Sequence, residues 1–252
     1  MNEETKKQIA NLVKNKLLDK LKNYQSETTY TPFFSAIFDQ ETIIMASLMQ
    51  SLYTTFGMSI YEQMAVILAK EKGWIAERQY KLQGQIDNET EALIEQLCRT
   101  DQPNKIEEIN LIRQTIKPGL ALYDHEGTVD VYIKKPDGTE IYVDITTVKP
   151  NLKEFRSMRR KMLRWAALRM STDNNAIVDT RIGIPYNPYH PEPYVRWTSA
   201  ECDPAGDILV QEDLWFTFAG EDVFAEIIEA FKEVGQEIEQ EVQQFLLDIG
   251  NK

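Results

Sequence analysis

The feature that most constrains the fold is a pair of β-rich segments separated by a tight turn. Residues 128–134 (TVDVYIK) alternate in polarity, and residues 139–148 (TEIYVDITTV) are rich in β-branched side chains. Between them lies a Pro-Asp-Gly turn signal at residues 136–138. The sequence therefore predicts an antiparallel β-hairpin whose turn sets the alignment of its two strands.

The alignment of this hairpin brings two acids together. If residues 136–138 form a three-residue loop, Lys135 faces Thr139, and Asp130 then faces Asp144. Directly opposed side chains lie on one face of the sheet, with Cβ atoms about 4.5–5.5 Å apart. Two carboxylates that close repel each other unless a cation lies between them or one holds a proton. We therefore expect a hard divalent ion such as Mg²⁺, which prefers oxygen ligands. The alternative is a solvated hairpin with two unrelated acids.

Such a pair of acids fits phosphodiester hydrolysis. That reaction needs a metal that neutralises charge on the scissile phosphate and acidifies a bound water, and it needs a cation or base beside the attacking water. We expect the metal ligands to be Asp130, Asp144 and the main-chain carbonyl of Ile145.

The rest of the chain predicts an α/β protein whose N-terminal third is mainly helical. Spacing and length of the apolar segments predict helices over residues 3–24, 33–56, 59–72, 74–83 and 87–99. After the hairpin we expect a basic helix over about 152–170, a buried strand around 177–184, a strand and its exit over 207–218, and an acidic helix or helix pair over 221–248, interrupted near Gly235. We divide the chain into a helical N-terminal region, 1–105, and a core, 106–252, which together form one compact domain.

Several classes of protein are disfavoured by composition. No apolar run approaches the roughly 18–20 residues that cross a bilayer, and MNEETKKQ lacks the apolar segment of a signal peptide. Cys98 and Cys202 lie outside any CxxC motif, which suits a reducing cytoplasm and argues against structural zinc. With two histidines and no HExxH motif, a zinc hydrolase is disfavoured as well.

The net charge of −12 conceals an uneven distribution. Residues 113–170 hold 12 Lys and Arg against 7 Asp and Glu, whereas residues 201–252 hold 2 against 14. A locally basic face is what contact with phosphates requires, whatever the overall isoelectric point.

The basic helix after the hairpin is the first candidate for DNA contact. Lys153, Arg156, Arg159 and Arg160 are the side chains that we expect to hold a phosphate backbone. The alternative is that these arginines pair with the acidic C-terminal helix.

The second candidate is the segment PYNPYHPEPYVRW at residues 185–197, which its four prolines exclude from regular helix or central strand. It carries Asn187, His190 and Arg196, which are side chains suited to reading base edges. Equally, its tyrosines and Trp197 could simply cover the core.

The pattern Asp130…Asp144-Ile145-Thr146 resembles the PD-(D/E)xK nuclease core. The runs VDITTVKPN (143–151), IPYNPYHPEPYVRW (184–197) and DILVQEDLWFTFAG (207–220) resemble type II restriction endonucleases that cut short GG…CC palindromes, and FGMSIYEQMAVILAKEKG (56–73) fits the helical region before their core. The resemblance implies a mixed central sheet flanked by helices, with helical elaboration at the N-terminus. It also implies Mg²⁺-dependent cleavage of double-stranded DNA at a GGNCC- or GGWCC-like site by a homodimer, with a cognate methyltransferase that acts on the same site without having to bind the enzyme.

The sequence departs from that pattern at Thr146, where the family has lysine. Lys149 is the nearest replacement, and a bulge or the bend at Pro150 could turn it towards the acids. Lys134 and Lys161 are the other candidates.

Glu62 adds a further acid on a largely apolar helical stripe. A carboxylate there is costly unless it is paired, so it either forms a salt bridge with a buried arginine or joins the catalytic centre by binding metal or orienting water.

Two alternatives to a restriction enzyme remain open at this point. One is a repair or junction-resolving nuclease with the same core, which a requirement for a specific sequence would exclude. The other is a catalytically inactive DNA-binding protein, which Thr146 favours.

Overall fold

The protein is built around a five-stranded mixed sheet in the order β1-β2-β3-β4-β5, as seen in a computed structural model that describes residues 1–24 and 31–250. Strand β2 (Tyr123–Lys134) is antiparallel to β1 (Ile75–Gln83) on one side and to β3 (Thr139–Ile145) on the other. Strands β4 (Ile177–Ile184) and β5 (Ile208–Val210) continue the sheet in parallel from β3. The α/β class and the mixed sheet flanked by helices agree with the expectation from sequence.

Ten α-helices within the described residues surround this sheet. They are α1 (Glu3–Asn23), α2 (Pro32–Ser35), α3 (Gln40–Thr55), α4 (Tyr61–Glu71), α5 (Asn88–Leu97), α6 (Lys105–Thr115), α7 (Leu152–Thr172), α8 (Glu212–Ala219), α9 (Phe224–Glu237) and α10 (Glu239–Gly250). A π-helical turn, Phe56–Ile60, joins α3 to α4, and a 3₁₀ turn, Trp197–Glu201, precedes β5. No helix among the described residues has the combination of length and apolarity that crossing a membrane demands.

The hairpin forms in the predicted register. Val131 faces Val143 and Ile133 faces Ile141, so the alignment continues to place Asp130 opposite Asp144. The turn closes with a hydrogen bond from the main-chain N–H of Lys135 to the Thr139 carbonyl at 2.9 Å. Gly138 adopts a φ of 88°, the left-handed conformation that glycine tolerates without strain.

Alternation along the hairpin gives it two different buried faces. Val131, Ile133, Ile141 and Val143 lie in the main core, together with residues of α1, α4, α8 and α9. Tyr132 and Tyr142 point to the opposite face and pack with Trp165 and Leu168 of α7. Because Asp130 and Asp144 have the same parity as these tyrosines, the two acids belong to the α7 face.

The predicted helix over 74–83 is wrong, since these residues form the edge strand β1. Their Glu, Arg, Gln and Lys side chains favour helix in isolation, but pairing with β2 and burial of Ala76 and Leu82 outweigh that preference. The region 1–105 is therefore not wholly helical.

Other elements differ in extent from the prediction. The strand expected within 207–218 is limited to β5, and α8 occupies most of that stretch. Helix α9 runs through Gly235 to Glu237, and α6 was not predicted. Between the first two predicted helices the sequence also predicts a loop over residues 24–32, of which residues 25–30 lie outside the described residues.

The close approach of β1 to α7 depends on Gly84, which follows the strand. A Cβ atom at this position would lie 2.8 Å from the Cα of Leu168 and closer still to its carbonyl group. We expect Gly84→Ala to lower the free energy of unfolding by about 1–3 kcal/mol, because the backbone of α7 cannot yield without moving the helix. Denaturant unfolding of the purified protein measures this change.

The matched control is Gly235→Ala in α9, where an added Cβ meets nothing within 4 Å. This substitution should raise stability by about 0.5–1 kcal/mol, since alanine loses less conformational entropy than glycine in a helix. Equal effects of the two substitutions would show that α7 does not pack against β1 as described.

Candidate active site

The two acids of the hairpin are held at the centre of the sheet. Asp144, near the end of β3, is 8% exposed. Asp130 on β2 is half-buried, and its Oδ2 accepts a hydrogen bond from the main-chain N–H of Ile145 at 2.9 Å. The backbone of β3 thus orients the acid on β2, and the carboxylates share a face of the sheet.

Helix α7 brings a lysine to this pair. The helix begins after Pro150 with a capping box, in which Asn151 and Glu154 satisfy each other's main-chain N–H groups. At the middle of the helix, Lys161 donates to Asp144 Oδ1 at 2.5 Å. The ammonium group also lies 4.8 Å from the ring centroid of Trp165, one turn further along.

The same stripe of α7 continues to Arg169, which binds Glu140 on β3 with two hydrogen bonds of 2.6 and 3.0 Å. Although burial opposes ionisation of Glu140, hydrogen bonds from Arg169, Tyr142 and Lys134 lower the pKa of that carboxyl to about 2. Lys161 and Arg169 lie two turns apart, so these contacts fix α7 along the length of β3.

Burial and, after it, the neighbouring charge of Asp144 together raise the pKa of Asp130 to about 7, against the opposing effect of Lys161. A carboxylate whose ionised form is disfavoured in this way is strengthened as a ligand when a cation arrives. The arrangement therefore has the electrostatic character of a site for a positive ion.

Glu62 on α4 is almost fully buried and is paired. Arg78 of β1 donates to Glu62 Oε2 from Nε at 3.0 Å and from Nη2 at 2.9 Å. The side-chain amide of Gln79 donates to Glu62 Oε1 at 3.1 Å and to Asp130 Oδ1 at 3.4 Å. The expected salt bridge to an arginine is present, and Gln79 also links Glu62 to the acid pair.

The three lysine candidates and Thr146 fall in different places. Lys149 lies with its ammonium 5.5 Å from the ring centroid of Tyr189, and Lys134 binds Glu140 at 3.1 Å. Thr146 follows β3, and its N–H donates to the Gly183 carbonyl. Lys161 is the candidate that contacts an acid of the pair.

The donor set fits a hard divalent cation. No group of three or more His, Cys, Asp or Glu side chains with metal-binding geometry occurs within residues 1–24 and 31–250. Two carboxylates and a main-chain carbonyl nevertheless suit Mg²⁺, which keeps several water ligands and uses one or two protein carboxylates. The raised pKa of Asp130 supports this fit.

Comparison with known proteins adds to this geometry. The family described as "Type II restriction endonuclease, HinfI" matches residues 1–235. The chain belongs to the HinfI family. Its members are type II restriction enzymes, and these are site-specific deoxyribonucleases.

Curated relatives agree with the family. The type II restriction enzyme HgiCII of Herpetosiphon aurantiacus is 23% identical over 241 residues, which cover 88% of this chain and 84% of the relative. HgiEI of the same organism is 23% identical over 255 residues, covering 90% and 89%. MjaII of Methanocaldococcus jannaschii is 29% identical over 201 residues, covering 73% of this chain and 54% of that enzyme.

In this HinfI-family enzyme, two of the arginines expected to contact DNA have internal partners. Arg159 is 2% exposed and binds Glu108 at 2.5 Å, together with the Leu97 carbonyl at 2.7 Å. Arg160 binds Glu91, Glu95 and Glu126 at 2.7–2.8 Å. Burial excludes Arg159 from the surface, and Arg160 is neutralised by three acids.

These arginines do not pair with the acidic C-terminal helices, which was the alternative from sequence. Acids of α9 bind lysines of α1 instead, Glu233 with Lys6 at 2.6 Å and Glu237 with Lys14 at 2.9 Å. On α7 the exposed cations are Lys153 and Arg156, and Arg156 binds Glu201 at 2.9 Å. Phosphate contact by these two remains a prediction.

The segment 185–197 is organised by its own polar side chains. Arg196 donates to the Tyr189 hydroxyl at 2.6 Å and to the Pro150 carbonyl at 3.2 Å. Asn187 donates to the Glu192 carbonyl at 2.7 Å. Both side chains stabilise the loop, whereas His190 is exposed, as is Trp197 at 77%.

The sequence analysis missed Gln79, which can be identified only from the pairing of β1 with β2. Once residues 75–83 are recognised as a strand paired with β2, the register places Gln79 directly opposite Asp130, between the pairs Arg78–Val131 and Tyr80–Val129. The sequence of β1 alone contains no motif that marks this residue.

The repulsion between the acids predicts a gain of stability on removing one charge. Asp130→Asn should raise the free energy of unfolding by about 2 kcal/mol at pH 8 in a chelator, because asparagine keeps the acceptor for Ile145 and removes a carboxylate that is costly to ionise. The raised pKa of Asp130 makes this cost grow between about pH 4 and 7 and persist above that range.

The gain should therefore become small near pH 4, where the carboxyl is protonated in the folded chain and partly protonated in the unfolded chain. Thermal melts at both pH values measure it. Asp137→Asn in the turn is the control, since a hydrogen bond from Thr139 lowers the pKa of Asp137 and its neutralisation should not stabilise. A loss of stability in Asp130→Asn at pH 8 would contradict the electrostatic account.

Proposed function

We propose that this type II restriction endonuclease hydrolyses phosphodiester bonds of double-stranded DNA at a short palindromic site and depends on Mg²⁺. The observation that supports the proposal best is the pairing of Asp130 with Asp144 on one face of a hairpin, beside the ammonium group of Lys161. The pair of acids matches the core arrangement that the PD-(D/E)xK resemblance implies, whereas the lysine comes from a different element.

Asp130, Asp144 and the carbonyl of Ile145 would hold the metal. When bound, Mg²⁺ neutralises charge on the scissile phosphate and acidifies a water ligand. Asp130 is already oriented for this role by the N–H of Ile145, and Asp144 is kept out of bulk solvent.

We assign to Lys161 the role of the lysine that the PD-(D/E)xK pattern has at the position of Thr146. Its ammonium reaches Asp144 from α7 rather than from β3, which places a positive charge beside the acids. There it can stabilise negative charge on a phosphate and orient an attacking water. We assign Lys149 to the surface near Tyr189, and we assign Glu62 to support of the centre through Arg78 and Gln79.

We also propose a recognition sequence, an oligomeric state and a cellular location for the enzyme. The runs at 143–151, 184–197 and 207–220 support a GG…CC site of the GGNCC or GGWCC kind. A palindrome calls for a homodimer in which each subunit cuts one strand. The enzyme would act in the cytoplasm, where Cys98 and Cys202 remain free thiols, alongside a methyltransferase that modifies the same site.

Digestion of a mapped plasmid tests the activity. With Mg²⁺, the wild-type protein should yield a discrete set of fragments, and Asp144→Ala should yield none because half of the metal ligands' charge is lost. Asp137→Ala, in the exposed turn of the same hairpin, should give the wild-type pattern. Random degradation or no cleavage by the wild type would reject the restriction activity proposed here, and binding without cleavage would favour an inactive DNA-binding protein.

Two lysine variants test whether Lys161 or Lys149 acts at the catalytic centre. We expect Lys161→Met to lower the single-turnover rate of cleavage by at least about 100-fold, because it removes charge stabilisation at the reacting phosphate. Lys149→Met should change that rate by less than about threefold. Rates measured at saturating DNA separate this effect from binding, and the opposite ranking of the two variants would return the catalytic role to Lys149.

A further inference from the structure

Gln79 occupies an unusual backbone conformation in the strand next to the acid pair. Its φ of 48° lies in the left-handed region, which non-glycine residues adopt at a cost. Among the described residues, Gln211 is the other non-glycine residue with a positive φ. Such strain persists where surrounding contacts hold it, and it occurs often at functional sites.

The position of Gln79 in the sheet is defined by register. Residues 79, 130 and 144 are aligned across β1, β2 and β3, so that a glutamine and two aspartates form a row. The row ends at the sheet edge with Gln79, which is exposed.

The amide of Gln79 bridges two carboxylates. Its Nε2 lies 3.1 Å from Glu62 Oε1 and 3.4 Å from Asp130 Oδ1, and both acceptors are oxygens that cannot donate when ionised. Because Ile145 donates to Oδ2 of Asp130, the Asp130 carboxylate is held by donors at both oxygens. Glu62 in turn is fixed by Arg78.

A neutral donor has a particular advantage here. With Lys161 already beside the pair, a second cation at Asp130 would cancel the remaining negative charge that a divalent cation needs, whereas an amide orients the carboxylate and leaves its charge in place. The charge of Glu62 is neutralised separately by Arg78 at 2.9 Å. Gln79 thus connects Asp130, the acid that would bind metal, to the fixed Glu62–Arg78 pair.

We propose that Gln79 is a positioning residue of the catalytic centre, which orients Asp130 for Mg²⁺ by linking it to the Glu62–Arg78 pair. This inference rests on the function proposed above. It assigns Glu62 an indirect role, as the anchor of Gln79 rather than a ligand of the metal.

The first variant, Gln79→Met, keeps the length of the side chain and removes its donor. We expect the Mg²⁺ concentration for half-maximal cleavage to rise, or the maximal rate to fall, by about 10- to 100-fold, the usual effect of losing a partner that orients a metal ligand. The affinity for DNA in a chelator should stay unchanged. Gln83→Met, in the same strand but paired with Tyr123 far from the acids, is the matched control.

The second variant, Gln79→Asn, separates a backbone role from an orienting one. Asparagine tolerates the left-handed region better than glutamine, so the melting temperature should be maintained or raised. Its amide is one methylene shorter and cannot span both carboxylates, so cleavage should fall as in Gln79→Met. A third readout, independent of catalysis, is the rise in melting temperature that Mg²⁺ causes, which both Gln79 variants should reduce.

The outcomes distinguish the two proposals. If wild type and Gln83→Met cleave DNA specifically and the Gln79 variants match them in rate, Mg²⁺ dependence and Mg²⁺-induced stabilisation, Gln79 has no positioning role and the proposed function stands. If the wild type shows neither Mg²⁺-dependent cleavage nor stabilisation by Mg²⁺, both proposals fail. Full activity of Gln79→Asn alone would assign Gln79 to the backbone and overturn the inference.

Discussion

The repulsion between two carboxylates on one face of a hairpin is the constraint around which this structure is organised. Asp130 and Asp144 are opposed because the Pro-Asp-Gly turn allows one register, and they are too buried for water to screen them fully. The chain offsets this cost with Lys161 from α7, the N–H of Ile145 and the amide of Gln79. Groups from α7, β3 and β1 therefore contact the acids, and a bound divalent ion would neutralise their remaining negative charge.

The hairpin and its acids could be predicted because their signals are local. A turn of defined length fixes the register, and the register fixes which side chains share a face. The contribution of β1 to the site could not be predicted, because β1 consists of residues that favour helix and becomes a strand through its pairing with β2. Gln79 and Arg78 were missed for that reason. The contact of Lys161 with Asp144 depends on how α7 packs along β3, and the spacing of residues in the sequence does not give that packing.

Charge counting located the basic segment but not its role. Seven cations of α7 suggested a phosphate-binding face, yet Arg159, Arg160 and Arg164 bind acids of α5, α6 and β2, which lie near in space and distant in sequence. Arginine suits such buried, multidentate pairing because its guanidinium is planar and weakly hydrated. Of the two lysines of the same helix, Lys153 is exposed and Lys161 binds Asp144. A basic stretch of sequence therefore shows how many cationic side chains are present, but their partners in the fold determine which of them can contact DNA.

The most direct measurement for this account is a crystal structure with Mn²⁺, whose anomalous scattering identifies the ion without ambiguity. The account predicts one peak per chain between Asp130 and Asp144, about 2.0–2.2 Å from an oxygen of each, with the Gln79 amide still on Asp130. A peak elsewhere, or acids separated beyond the span of one ion, would contradict it.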